Sequence, residues 1–166
     1  MKKFIIGLLV NNEAGVLTRI SSMFARRGFN IDSLAVGETE NPELSRITVT
    51  MTGEDYARDQ MVKQLQKLYD VRELLEMDPE ESVSRELAII KVAANRESRQ
   101  DVIDAAQIFR NKIIDYSPES VSIEVTGETG KIDAFVKLME PYGILEICRT
   151  GLISMSRGTK TLKENL

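Results

Sequence analysis

The order in which apolar periodicity changes along this chain constrains its fold more than any other feature, because the order occurs twice. Phe4–Val10 is a continuous apolar run, read as a buried strand, and it is closed by the turn signal Asn11-Asn12-Glu13-Ala14-Gly15. Leu17, Ile20 and Phe24 then recur at helical spacing, flanked by Val16 and Met23; Arg26 and Arg27 suit a last helical turn and Gly28 a stop. Residues 30–38 read as a strand. Residues 44–51 alternate, with Ile47, Val49 and Met51 on one face and Arg46, Thr48 and Thr50 on the other. Thr52-Gly53-Glu54-Asp55 can open a helix striped by Ala57, Met61, Leu65 and Leu68, and residues 71–77 form a fourth strand. After the polar stretch 78–84 the order recurs: a strand over 86–93, a helix carrying Val102, Ala105, Ala106 and Phe109, strands over 113–116 and 121–125, a helix carrying Ile132, Phe135, Val136 and Met139, and a last strand over 144–153.

Two β-α-β-β-α-β passes predict an α+β chain of two ferredoxin-like units, each a four-stranded antiparallel sheet with two helices on one face. The expected division is 1–77, a linker over 78–84, and 85–166, with a loose tail from Ser154 onward. Units this small bury little surface and leave one sheet face open, so sheet-to-sheet or edge-to-edge association, at least a homodimer, is expected.

The residues the chain lacks narrow its chemistry. Its 166 residues include no His, no Trp and a single cysteine. Histidine triads, histidine proton shuttles, His-ligated metals, internal disulfides and Cys-rich zinc sites are thereby excluded. A net charge of −4 with 5% aromatic residues makes a poor nucleic-acid binder. No apolar run is long enough to span a membrane, and no signal or transit peptide is visible, so a bacterial-type cytoplasmic chain is expected. Cys148, in the last strand with no histidine to activate it, reads as a small core residue. No catalytic residues are identified. The acid groups Asp78, Glu80 and Glu81, and Asp101 with Asp104, read as linker and helix surface, with weak Mg²⁺ coordination left open there and no other metal expected.

Three segments can carry binding. In the first turn, free N–H groups at a helix N-terminus suit a carboxylate, Gly15 allows close backbone approach, and Asn12 can donate and accept. An amino-acid zwitterion fits that chemistry, although on chemistry alone an ordinary capped turn is the favoured reading. Arg26-Arg27-Gly28-Phe29-Asn30-Ile31-Asp32 joins helix stop to strand start, and Asn30 could complete a pocket formed with a partner's first turn. Gln60, Gln64 and Lys67 form a polar strip at i, i+4 and i+7 on the second helix, either a solvated face or a docking point for another protein.

The motifs Asn12-Glu13-Ala14-Gly15-Val16-Leu17 and Arg27-Gly28-Phe29-Asn30-Ile31-Asp32-Ser33-Leu34 resemble the ACT domain of the small, regulatory subunits of acetolactate (acetohydroxyacid) synthase. The similarity continues in order through Leu44-Ser45-Arg46, residues 64–71, Arg85-Glu86-Leu87, Ile108-Phe109-Arg110, residues 130–135 and Arg149-Thr150-Gly151. The resemblance implies an N-terminal ACT domain and a C-terminal ACT-like domain with no catalytic site of their own. It implies a large catalytic subunit as partner, which converts two pyruvates to 2-acetolactate and CO₂ with thiamine diphosphate, Mg²⁺ and FAD. It also implies activation of that subunit and feedback inhibition by valine in branched-chain (valine, leucine, isoleucine) amino-acid biosynthesis. The effector is then expected between two ACT domains of a homodimer, held by Asn12, Glu13, Ala14, Gly15, Val16 and Leu17 of one chain and Asn30 and Ile31 of the other. Val10, with Val16, Leu17 and Ile31, would wall its aliphatic group, and Gln60, Gln64 and Lys67 would relay to the catalytic subunit. A free-standing ACT-type amino-acid sensor acting on another enzyme or on transcription is the alternative; a small acyl-phosphate hydrolase is remote, because no phosphate-cradling loop with an Arg is visible.

Overall fold

The computed structural model describes residues 2–163, and it divides into two compact units. The first runs up to Ser84 and takes in the chain again from Leu152; the second is Arg85–Gly151. In the first unit the elements are β1 (Lys2–Asn11), α1 (Val16–Arg26), β2 (Ser33–Glu38), β3 (Leu44–Gly53), α2 (Asp55–Leu65) and β4 (Val71–Glu76). The sheet order is β2-β3-β1-β4, with every pair antiparallel. Period-2 alternation sends Ile6, Leu8 and Val10 of β1 and Ile47, Val49 and Met51 of β3 to one face, where Val16, Ile20 and Phe24 of α1 and Met61 and Leu65 of α2 close the core. All of these are at most 3% exposed, so each large side chain contributes the ~1.5–3 kcal/mol of full apolar burial.

The opposite face of this sheet is not open. Leu9 projects there from β1, and with Met77 and the distant Leu162 it forms a second buried cluster flanked by Ile5, Leu44 and Leu75. The chain returns through β9 (Ile153–Ser156), which pairs with β5 (Ser82–Ala93). Arg46 donates through Nη2 to the Ser154 carbonyl at 2.8 Å, Arg157 N–H donates to the Glu81 carbonyl, and Leu152 N–H donates to Ser33 Oγ. Met77 and Leu162 lie so close over β1 that a Cβ on Gly7 would stand 2.7 Å from Met77 Cε. This explains why Phe4–Val10 is apolar without alternation: β1 is buried on both faces.

The expected division is therefore corrected in two places. Ser82–Ser84 begin a strand instead of ending a linker. The segment expected to be a loose tail on the second unit is ordered to Lys163 and packs on the first; residues 164–166 lie outside the described residues, as does Met1. The physical reason is the outer apolar stripe of Leu9, Leu44 and Leu75, which needs a cover that the two helices cannot supply.

In the second unit the elements are the remainder of β5, α3 (Arg99–Ile108), β6 (Lys112–Tyr116), β7 (Ser120–Gly127), α4 (Thr129–Met139), a 3-10 turn (Glu140–Tyr142) and β8 (Ile144–Arg149), in the order β6-β7-β5-β8. Ala88, Ile90, Val92, Val121, Ile123 and Val125 pack on Val102, Ala106, Ile132, Phe135 and Met139. Arg149 makes a fork to Glu86 at 2.6 and 3.0 Å and reaches Asp133 of α4, and the Glu86 carboxylate raises the guanidinium pKa far above its ordinary value. The single long strand expected over 144–153 is broken at Gly151 (φ +82°) into β8 and β9. Cys148, on β8 opposite Ile89, is exposed and not a core residue. No helix among the described residues is long and apolar enough to cross a membrane.

Replacing Leu162 by Asp tests the returning segment. Leu162 is 6% exposed, so burying a carboxylate in its place should cost ~2–4 kcal/mol in a denaturant titration. A loose tail would leave the unfolding midpoint unchanged.

Candidate functional site

The turn from β1 into α1 is held by backbone geometry, not by a capping side chain. Gly15 is the N-cap at φ +87°, a left-handed conformation that favours glycine, and no side chain caps the helix. The Val16 N–H donates to the Glu13 carbonyl and the Arg19 N–H to the Gly15 carbonyl. The Leu17 and Thr18 amides, second and third in the helix, have no acceptor within it. The first turn carries no acidic residue. The end of α1 is thus an electropositive site with two donors facing outward, the arrangement that takes a carboxylate.

A partly buried ion pair flanks it. Arg19, one turn into α1, donates from Nε to Asp70 Oδ2 at 2.7 Å, and this carboxylate, with a contribution from Glu13, raises the Arg19 pKa above its usual value. Arg19 Nη1 lies 3.1 Å from where a Cβ on Gly15 would be. Asp70 in turn fixes the strand end, because its carbonyl accepts from Asn11 N–H. Asn11 Oδ1 accepts from Arg72 Nε at 2.6 Å. An open depression beside the turn is lined by Asn11, Asn12, Glu13, Glu43 and Arg72 among others.

The expected site residues distribute unevenly. Asn12 is committed to its own chain: its Nδ2 donates to Glu38 Oε1 (3.0 Å) and the Pro42 carbonyl (2.9 Å), and its Oδ1 accepts from Ser45 Oγ (3.0 Å). Both side-chain N–H groups are used, so Asn12 shapes the turn and ties it to the end of β2. Glu13, Ala14 and Leu17 are exposed, Leu17 at 42%. Val10 and Val16, expected to wall an aliphatic group, sit in the core at 1% and 3% exposure. Of the four expected wall residues, Leu17 is the exposed one, and Ile31 is half-buried against the core.

Asn30 and Ile31 precede β2, which begins at Ser33 and not at Asn30. The register separates them from the turn. Ser33 pairs with Thr50, whereas Glu38 pairs with Ser45 and Asn11 with Leu44. Six residues of β3, about 20 Å of strand, lie between the two halves of the expected site within one chain.

Gln60 and Gln64 are half-buried and line a groove between α1 and α2; Lys67 is exposed beyond the last residue of α2, its N–H donating to the Gln64 carbonyl. The acid groups are engaged locally: Asp78 Oδ1 accepts from Glu80 N–H, and Asp104 from Gln100 Nε2. Among the described residues no group of three or more His, Cys, Asp or Glu side chains is arranged to hold a metal. Arg19, Asp70 and Glu38 were not singled out from sequence. The i to i+4 spacing of Gly15 and Arg19 was the one local signal, while Asp70 and Glu38 reach the turn only through tertiary pairing.

Residues 6–73 match the family model described as the AHAS small subunit-like ACT domain, and residues 85–158 match that described as the small subunit of acetolactate synthase. The chain is 48% identical over 159 residues to the acetolactate synthase small subunit of Mycobacterium bovis, covering 96% of this chain and 95% of that one. It is 48% identical over 155 residues to that of Mycolicibacterium smegmatis, covering 93% and 91%. The crystal structure of the acetolactate synthase small subunit from Thermotoga maritima matches with a TM-score of 0.88 at 41% identity, over 96% of this chain and 100% of that one.

Asn12→Ala tests the structural part assigned to that residue. Loss of three side-chain hydrogen bonds should lower the stability of the ligand-free protein by ~1–2 kcal/mol in a denaturant titration. A side chain serving only a ligand would leave that value unchanged.

Proposed function

The chain belongs to the acetolactate synthase small-subunit family, and from that premise we propose that it is a homodimeric regulatory subunit that activates the large catalytic subunit and carries its feedback inhibition by valine. Thiamine diphosphate, Mg²⁺, FAD and the condensation of two pyruvates to 2-acetolactate and CO₂ are assigned in this reading to the catalytic subunit. The setting is a bacterial-type cytoplasm.

The observation that supports the reading is the separation along β3 of the two groups of residues expected to bind. The α1 N-terminus supplies donors for a carboxylate, while Asn30 and Ile31 stand at the far end of the same sheet. A second copy can close that gap. β2 is the edge strand of its sheet, six residues long, with Val36 47% exposed. If two copies pair β2 antiparallel, Ser33 of the partner subunit falls opposite Glu38, and the residues before it reach the turn that Asn12 ties to Glu38.

Valine then places its carboxylate on the Leu17 and Thr18 amides near Arg19. Its ammonium meets oxygen acceptors at the turn and Asn30 of the partner subunit. Its isopropyl group lies between Leu17 and Ile31 of the partner subunit. Such a wall separates aliphatic side chains differing by one methylene by only ~1–3 kcal/mol, so leucine and isoleucine are expected to bind more weakly and not to be excluded. Inhibition follows if valine binds the less active holoenzyme state more tightly than the active one, and the coupling is then reciprocal.

Gly15→Asp tests the pocket. An Asp here puts a carboxylate beside Arg19 at the start of α1, where it repels the ligand carboxylate and crowds its approach. Valine at 100-fold over its dissociation constant should stabilise the unaltered protein by ~2.7 kcal/mol in thermal unfolding. The variant should lose most of that shift and its valine inhibition while still binding the catalytic subunit. Retained sensitivity would move the effector site elsewhere.

A further inference from the structure

The groove between α1 and α2 adjoins the effector turn and shares Thr18 and Arg19 with the start of α1. It encloses about 940 Å³ and lies entirely within the first unit. Its charge is one-sided: Arg19, Arg26 and Arg27 line it, and none of its lining residues is acidic. The chain as a whole is acidic, with 26 Asp and Glu against 22 Lys and Arg, so a cationic groove departs from the average. Arg19 is already paired with Asp70. Arg26 and Arg27 make no ion pair among the described residues and are exposed.

Arg26, in the last turn of α1, also complements the helix dipole, but that role does not require what surrounds it. Met23, Phe29 and Leu68 give the groove an apolar floor, and Tyr56 stands at its wall with 75% of its surface exposed. Gln60 and Gln64 follow Tyr56 at four-residue steps along the α2 wall and offer hydrogen bonds. An apolar floor, an exposed aromatic, Arg residues and amides at the rim are the composition of a protein-recognition surface.

We propose that this groove is the docking site for an acidic, amphipathic segment of the catalytic subunit, whose carboxylates pair with Arg26 and Arg27 while an apolar side chain enters between Met23, Phe29 and Leu68. The inference rests on the small-subunit reading given above and adds to it the surface and the charge. Gln60 and Gln64 then contact the partner directly, and Lys67, outside the groove, does not.

The test is binding of the full chain to its catalytic subunit at several salt concentrations, for the unaltered protein and for the double variant Arg26→Glu/Arg27→Glu. Both positions are exposed, so the variant should stay folded and keep its valine-induced shift, with a small drop in unfolding midpoint from the lost helix-dipole partner at Arg26. It should bind the catalytic subunit about tenfold more weakly or worse, and the salt dependence should flatten. If charge reversal impairs folding, Arg26→Gln/Arg27→Gln carries the test, with a smaller loss in the same direction. Affinity and salt dependence equal to those of the unaltered protein overturn the proposal. A change in the small subunit's own oligomeric mass with catalytic-subunit affinity intact also overturns it, and assigns the groove to a second copy. Failure of the unaltered chain to bind the catalytic subunit overturns the small-subunit reading and the groove with it, an outcome distinct from a groove that proves silent.

Discussion

The register of β3 fixes the positions of everything else in the first unit. Ten of its residues pair with β1 and six with β2, so slippage by one residue would turn Ile47, Val49 and Met51 away from α1 and α2. The same register holds the effector turn at one end of the sheet and Asn30 at the other. Because the core locks the strands, the two halves cannot approach within one chain. Edge pairing of β2 is the short route by which they can meet, and on the proposed reading regulation would depend on dimerisation through sheet geometry.

Charge organises the unit in a second way. α1 concentrates the positive potential of an acidic chain. Its N-terminus offers uncapped amides beside Arg19, and its C-terminus ends in Arg26 and Arg27 on an apolar groove. On the proposed reading one helix carries the anion site at its start and the docking wall at its end, about 16 Å apart for eleven residues. On that reading, a ligand at the first turn of α1 would act on the same helix that lines the groove, which links the two proposed sites through one element.

Much of this was legible in the sequence, and the misses have physical causes. The βαββαβ order was readable twice because core-facing residues such as Ile47, Val49 and Met51 alternate cleanly and Ile20 and Phe24 keep helical spacing. The returning segment was not readable. Its cover of Leu9, Leu44 and Leu75 rests on a single residue, Leu162, in a polar stretch, and packing over such a distance leaves no local period. The turn itself was legible as well: Asn11, Asn12 and Gly15 mark a turn before a helix, and the structure adds that Gly15 is a left-handed N-cap. The roles of Asn12, Val10 and Val16 could not be divided from sequence, since whether a turn Asn serves a ligand or its own loop depends on Glu38, Pro42 and Ser45, some 26 to 33 residues away. Cys148 was misplaced because an apolar-looking strand gives no sign of which alternate face meets solvent.

The central claim is a regulatory site divided between two chains, and subunit mixing tests it most directly. Gly15→Asp disables the turn and Asn30→Ala disables the other half, so each homodimer should bind little valine in a calorimetric titration. After the two variants are mixed and allowed to exchange, each hybrid dimer holds one site with both halves intact, and about one site in four should be recovered at unaltered affinity. No recovery after demonstrated exchange would contradict a shared site and return the effector to residues of a single chain.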